Sequence, residues 1–268
     1  MSLTNTHKFD GNRLKFILSS GRTGTTQLRE YLKKYYPNLR IWFEPPPSRQ
    51  LYLLWNAEQS GLVPGCTSLK LLRKFRSSNL KRESADRIIE FDSYLSPLIC
   101  EFIPYIESPC IVHLIRHPYY WIQSMGNFKA ASWRKHAVDI VPFTYIIHPE
   151  AKRDWRQLNK IQKLAWSWRL VNEKILGQKN QCKQYGLFKF EDFTSSDPEM
   201  RIKTISSILD MINIFSVNHV NDIDINVKIN KSDSENITGW QNWSLGTRKS
   251  VNDICSGLMR TFSYSIHD

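Results

Sequence analysis

Between Leu14 and Leu28 the chain reads LKFILSSGRTGTTQL, and no other stretch limits its possible folds as tightly. A short apolar run, Phe16-Ile17-Leu18, stops at Ser19. From Ser19 to Thr26 there are only small or polar residues and one arginine, and then Leu28, Tyr31 and Leu32 recur at helical spacing. The pattern predicts a strand, a tight loop and a helix. Gly21 and Gly24 let the backbone take positive φ and come close to a ligand. The N–H groups of such a loop and of the new helix converge on one spot, which suits an anion such as phosphate. Thr25 and Thr26 add hydroxyl donors and Arg22 adds a permanent positive charge. Candidate anion contacts therefore span Ser20, Gly21, Arg22, Thr23, Gly24, Thr25 and Thr26. An ordinary glycine-containing turn between strand and helix has the same outline, so the stretch by itself leaves both readings open.

Downstream, Leu39 to Phe43 (LRIWF) predicts a second buried strand, running into Glu44-Pro45-Pro46-Pro47, where the prolines end ladder pairing. Leu51 to Trp55 fits a short helix, Gly61 to Gly65 a turn, and Thr67 to Leu72 a third strand. Glu83 to Ile106 carries Ile88, Phe91, Leu95, Leu98, Ile99 and Phe102 as a helical stripe interrupted near Pro97. Cys110 to Ile115 (CIVHLI) is a buried strand closed by Arg116-His117-Pro118, with a helix from about Tyr119. Residues 128–154 are rich in aromatics and charges without a period, and make a candidate lid over an acceptor site. Ile161 to Ile175 is an amphipathic helix. Tyr185 to Phe190 is another strand, ended by Glu191-Asp192. Ile202 to Ile212 and Arg248 to Arg260 are helical, and residues 213–239 are polar with no core signal.

Strands thus alternate with helices, and the strands are continuous apolar runs. That is the mark of an α/β fold with a central parallel sheet covered by helices on both faces. The expectation is a single domain over residues 1–268 with a polar tail at 1–12. Ligands of such sheets sit beyond the carboxyl ends of the strands, where Ser19–Thr26, Glu44 and Arg116 all fall.

Lys and Arg number 37 against 25 acids, a net charge of +12, which favours an anionic partner. The densest basic stretch is Lys70, Arg73, Lys74, Arg76, Lys81 and Arg82. It has few aromatics and no nucleic-acid motif, so nucleic acid is not the expected partner. No 18-residue apolar run occurs and the first residues are polar, so neither a membrane span nor a signal peptide is expected, and a cytoplasmic location is. The five cysteines form no CxxC pair and are read as reduced thiols. No metal-ligand cluster stands out, and no metal is expected.

A nucleotide kinase or GTPase needs GxxxxGK[ST], with the lysine reaching the phosphates. Here Thr25 occupies the lysine position, Ser19 replaces the first glycine, and no acidic residue ends the Cys110–Ile115 strand, so ATP or GTP hydrolysis is disfavoured. Arg116 and Ser124 lie eight residues apart across a strand–helix junction. Both can face one ligand and grip a second phosphate. Equally, Arg116 can pair with an acid while Ser124 lies on a helix surface.

SSGRTGTT after a strand resembles the 5′-phosphosulfate loop of the sulfotransferase family. IVHLIRHPYYWIQS resembles that family's 3′-phosphate segment, with Arg116 and Ser124 at the matching separation. FEPPP resembles the FEP segment of carbohydrate sulfotransferases, FKFEDF the family's strand ending in Tyr-Glu-Asp-Leu, and Trp243 to Tyr264 the closing helix, with Phe262-Ser263-Tyr264 where Leu-Gly-Tyr is usual. The resemblance implies a P-loop-like, three-layer α/β fold. It also implies the donor 3′-phosphoadenosine 5′-phosphosulfate (PAPS), in-line transfer of a sulfuryl group to a hydroxyl or amine, and no metal. The acceptor stays open among a glycan, a lipid and a small metabolite, with the FEP segment pointing to carbohydrate, and a bacterial cytoplasmic enzyme is the expectation. Many relatives carry Lys where Arg22 stands; arginine can stabilise charge but not donate a proton. Glu44, at a strand end, is the candidate general base, as a glutamate is in several carbohydrate enzymes. It can instead pair with Arg22 or Arg49 and only shape the loop. His113 reads as a satisfied core histidine and His117 as a weaker alternative base. A P-loop kinase and a non-catalytic polyanion-binding protein are the competing functions.

Overall fold

Two six-residue apolar runs dictate the centre of the fold. In the computed structural model, which describes residues 8–128, 148–214 and 237–266, they form β2 (Leu14–Ser19) and β6 (Cys110–Ile115), and every residue of both is buried. Most of the expected lid at 128–154 and of the polar stretch at 213–239 lies outside the described residues. β2 and β6 pair in parallel with Phe16 opposite Ile111 and Leu18 opposite His113. β3 (Arg40–Phe43), β4 (Ile88–Phe91) and β7 (Gln184–Lys189) complete a parallel five-stranded sheet in the order β3-β4-β2-β6-β7. A small parallel pair, β1 (Phe9–Asp10) with β5 (Ile106–Glu107), stands apart.

Period-two alternation sends side chains to two cores. Leu14, Phe16, Leu18 and Ile111 pack with Leu51 and Trp55 of α2 (Ser48–Gln59), Leu72 of α3 (Thr67–Arg82), Ile99 and Phe102 of α4 (Ile99–Phe102), and Val171 and Ile175 of α6 (Lys160–Leu176). Ile17, Ile89, Val112 and Leu114 face Leu28, Tyr31 and Leu32 of α1 (Thr25–Tyr35) and Ile205, Ile208 and Leu209 of α8 (Pro198–Met211). The result is the expected three-layer arrangement. A third cluster joins α5 (Pro118–Gly126), α6 and α9 (Leu245–Thr261) beyond β6. The short α7 (Phe190–Phe193) follows β7 directly.

Two sequence expectations fail here. Thr67 to Leu72 is not a strand but the start of α3: its buried residues Ser68, Leu72 and Arg76 recur every four positions, a helical repeat that runs on to Arg82. The helical stripe over Glu83 to Ile106 is instead β4, a 3₁₀ turn at Ser96–Leu98 and α4. A four-residue buried strand carries too little periodicity to separate from a helix, and Pro97 starts the 3₁₀ turn rather than interrupting a helix. β4 therefore lies between β3 and β2, and Glu44 is one strand further from the loop than adjacent strands would put it.

Topology locates the crevice. From β2 the chain runs towards β3, whereas from β6 it runs towards β7. The switch between β2 and β6 is where open α/β sheets take ligands.

Candidate anion-binding and transfer site

The loop after β2 is built on left-handed backbone. Gly21 and Gly24 have φ of 77° and 81°, and Arg22 between them has 55°, which costs a non-glycine residue about 1–2 kcal/mol. Gly24 is the N-cap of α1, provides no side-chain cap, and no acid stands in the first turn. The amides at that helix start keep their donor capacity for an anion. Four bonds fix the loop: Gly21 N–H to Ser19 Oγ (3.0 Å), Ser19 N–H to Ser96 Oγ (3.1 Å), Trp121 Nε1–H to Gly21 O (2.7 Å) and Arg116 Nη1–H to Arg22 O (3.2 Å).

Arg22, Arg116 and Ser124 come together across the β2/β6 crevice. Arg22 Nε donates to Ser124 Oγ at 3.1 Å, and its guanidinium lies 4.6 Å from the centre of the Phe128 ring. Arg116 stacks 4.5 Å from the centre of Phe190. Burial lowers the pKa of both guanidiniums, and for Arg116 the neighbouring Glu191 opposes the effect. Around them Ser20 Oγ, Thr23 Oγ1 and Arg116 Nε are buried with no hydrogen-bond partner among the described residues. Buried polar groups are normally satisfied, and these three sit on the loop after β2 and just past the end of β6. Thr25 and Thr26 open α1 beside them.

Glu191 has a part that the sequence reading missed. Its Oε1 accepts the His117 N–H at 2.9 Å and its Oε2 the Tyr264 hydroxyl at 2.9 Å. Tyr264 is delivered by a helix ending on Ser263, whose φ is 53° where the usual glycine would sit. Ser263 N–H and Tyr264 N–H bond back to Arg260 O (3.0 Å) and Met259 O (2.8 Å), a Schellman ending. Lys189 Nζ holds the Ser263 carbonyl at 2.9 Å. No local signal exposes these contacts, because the partners are 73 and 74 residues apart in the chain.

Glu44 ends β3 with φ of 43°, and its N–H bonds to Phe91 O at 2.8 Å. Burial raises its pKa; the Ser93 hydroxyl opposes this, Asp92 adds to it, and Arg29 and Arg49 oppose it. No salt bridge joins it to Arg22 or Arg49 among the described residues. His113 contacts Tyr185 Oη (2.7 Å) and Asn172 Oδ1 (2.9 Å), and burial lowers its pKa to about 4. It is a satisfied core histidine, as the sequence suggests. His117 Nδ1 accepts the Tyr119 N–H (3.3 Å) while Nε2 lies 3.1 Å from Ser265 O. By accepting the Tyr119 N–H, His117 serves as the N-cap of α5.

The basic stretch divides. Arg76 turns fully inward, whereas Lys70, Arg73, Lys74 and Lys81 line an open groove of about 530 Å³ with Lys8 and Arg13. Arg13 and the groove lie at the start of β2, the end of the strand opposite the loop.

No family model and no curated protein matches the sequence. Among solved structures the chain is similar to the sulfotransferase domain of the Synechococcus PCC 7002 olefin synthase (TM-score 0.55, 17% identity, 100% of both chains covered). It is also similar to mouse sulfotransferase SULT7A1 complexed with PAP (TM-score 0.51, 15% identity, covering 95% of this chain and 88% of that one). At these identities the likeness establishes a shared fold.

Proposed function

We propose that the chain is a sulfotransferase that moves a sulfuryl group from PAPS to a hydroxyl or amine of a glycan or small-molecule acceptor. The observation that carries this reading is the set of buried polar atoms without a partner among the described residues, Ser20 Oγ, Thr23 Oγ1 and Arg116 Nε, around a helix start with no side-chain cap. The fit to PAPS is chemical: it bears phosphate groups at two separated places, and the site has two poles. The amides of residues 20–26, with Arg22, Thr25 and Thr26, hold the 5′-phosphate. Arg116 and Ser124 hold the 3′-phosphate. The shared fold with a sulfotransferase complexed with PAP supports the same reading. Thr25 at the lysine position argues against an ATP-dependent kinase.

PAPS supplies the sulfuryl group and leaves as PAP. Charge develops on the departing phosphate oxygen, and fixed donors there lower the barrier because they need no reorganisation. Arg22 and the loop amides provide them. The Glu44 carboxylate accepts the acceptor's proton as the new bond to sulfur forms. Its burial, which raises the pKa, strengthens it as a base.

Calorimetric titration with adenosine 3′,5′-bisphosphate (PAP) and with ATP tests the donor assignment. PAP is expected to bind at least about tenfold more tightly, a difference of roughly 1.4 kcal/mol; equal affinities or tighter ATP would overturn it. A screen of glycan and small-molecule acceptors with labelled PAPS then identifies the acceptor. With that acceptor, Glu44→Gln should cut turnover about a hundredfold or more while PAP affinity stays within about twofold. A glutamine variant with most of its activity would remove Glu44 from the mechanism.

A further inference from the structure

We propose that Ser93 is the positioning residue of the Glu44 carboxylate, and that the turn from Asp92 to Ser96 holds that carboxylate in register with the anion-binding loop. The proposal rests on the reading of Glu44 as the proton acceptor. Ser93 Oγ donates to Glu44 Oε1 at 2.5 Å. Oε2 takes no hydrogen bond among the described residues and is left to receive a proton. A Cβ built on Gly21 would lie 3.9 Å from Ser93 Cβ, so Ser93 lies against the loop as well as on the carboxylate.

The turn that carries Ser93 is tied on both sides. Asp92 Oδ1 accepts the N–H groups of Tyr94 (2.9 Å) and Leu95 (3.0 Å). Ser96 Oγ donates to Asp92 O at 3.1 Å and accepts the Ser19 N–H at 3.1 Å, which joins the turn to the first residue of the loop. On the other side Ser48, four residues past Glu44, bonds Asp92 Oδ2, and its hydroxyl is 2.7 Å from Pro45 O. Arg76 Nη2 donates to Asp92 Oδ2 (3.0 Å), Glu90 Oε1 (2.6 Å) and Ser48 Oγ (2.8 Å). Arg76, Glu90, Asp92 and Ser48 are all at most 4% exposed, so the anchor is shielded from bulk solvent. The segment carrying Glu44 and the loop after β2 therefore share one buried mount, although β4 separates their strands.

A hydrogen bond to the charged form favours that form. Burial and the Asp92 carboxylate oppose ionisation of Glu44, whereas the Ser93 hydroxyl, Arg29 and Arg49 favour it. The Tyr94 phenol also faces the carboxylate, which raises the phenol's own pKa after burial has done so. Among these groups only the Ser93 bond also fixes the direction in which Oε2 points.

The test is carboxyl ¹³C NMR titration of Glu44, with its signal assigned by its absence in Glu44→Gln, in the wild type, Ser93→Ala and Ser93→Thr. Ser93→Ala should tighten proton binding by Glu44 roughly tenfold, Ser93→Thr should restore the wild-type titration, and PAP affinity should stay within about twofold in both. An unchanged titration in Ser93→Ala, or an equal change in Ser93→Thr, overturns the positioning role. The readout needs no acceptor. Full activity of Glu44→Gln would instead remove the base assignment and leave the Ser93 result standing.

Discussion

Gly24→Ala against Gly21→Ala separates backbone strain from packing in the loop. Both glycines have positive φ, 81° and 77°, so a Cβ at either costs about 1–2 kcal/mol of left-handed strain. Their surroundings differ. At Gly24 the new carbon would lie 2.8 and 2.9 Å from two atoms of the Phe190 ring and 3.3 Å from Phe193, whereas at Gly21 its nearest neighbour is the flexible end of Met125 at 3.5 Å. Overpacking of that kind adds about 1–3 kcal/mol. Gly24→Ala should therefore lose about 2–5 kcal/mol and Gly21→Ala about 1–2 kcal/mol, read as midpoint shifts in urea unfolding at constant m. Function should follow the same order. The ring that the Gly24→Ala methyl displaces is the one on which Arg116 stacks, so PAP binding should weaken more in Gly24→Ala than in Gly21→Ala. Equal losses of stability, or a milder Gly24→Ala, would refute the close approach of α1 to Phe190.

Arg116→Ala should weaken PAP by about one to two decades, the worth of a charge-assisted contact of about 1.5–3 kcal/mol, and weaken adenosine 5′-phosphate clearly less, through the lost brace on Arg22 O alone; equal losses in calorimetry would move the 3′-phosphate elsewhere. His113 has a folded pKa of about 4, below its unfolded value near 6.5, so its contribution is complete above about pH 6.5 and is lost as pH falls towards 4. Urea midpoints should show a loss of roughly 1–2 kcal/mol between about pH 7 and pH 5 that His113→Gln lacks. That comparison also isolates it from Glu90, whose pKa burial raises to about 7 and whose stabilisation declines as pH rises. Arg76→Met should cost about 3–5 kcal/mol by leaving Glu90 and Asp92 unpaired, and Arg76→Met with Glu90→Leu should recover part of it; no recovery would show that the arginine acts through packing alone.

The parts legible in the sequence are those whose cause is local. β2, β6 and α6 each carry their own apolar period, and the loop carries its glycines. The strand–loop–helix, Arg116 at a strand end and the long amphipathic helix all stand where the residues indicate. β4 was not legible, because four buried residues in Arg87-Ile88-Ile89-Glu90-Phe91 fit a helix stripe as well as a strand. With β4 hidden, Asp92, Ser93 and Ser96 were hidden too. Arg76 reads as part of a basic stretch, yet it is fully buried against Glu90, a pairing that only the packing of α3 on the sheet creates. Glu191 was visible as a strand end, but its contact to His117 depends on β6 pairing with β7 and that to Tyr264 on the chain after α9 returning to the end of β7.

The strand order then restricts how an acceptor is used. Along the carboxyl edge the groups stand as Glu44 after β3, the Asp92–Ser96 turn after β4, the loop after β2, Arg116 after β6 and Glu191 after β7. Neighbouring strands are about 4.8 Å apart, so β3 lies roughly 10 Å from β2. A carboxylate extending inwards from Glu44 covers part of that span, and the acceptor oxygen with its incoming sulfur covers the rest. On the proposed reading the acceptor therefore lies over the end of β4, between Glu44 and the loop, and Ser93 and Tyr94 form its floor. On the same reading, the order explains why a base at Glu44 need not touch Arg22. On that reading one unit holds the donor's charge at the β2/β6 crevice and another removes the proton at β3. The turn after β4 is bonded to both, and it sets their separation.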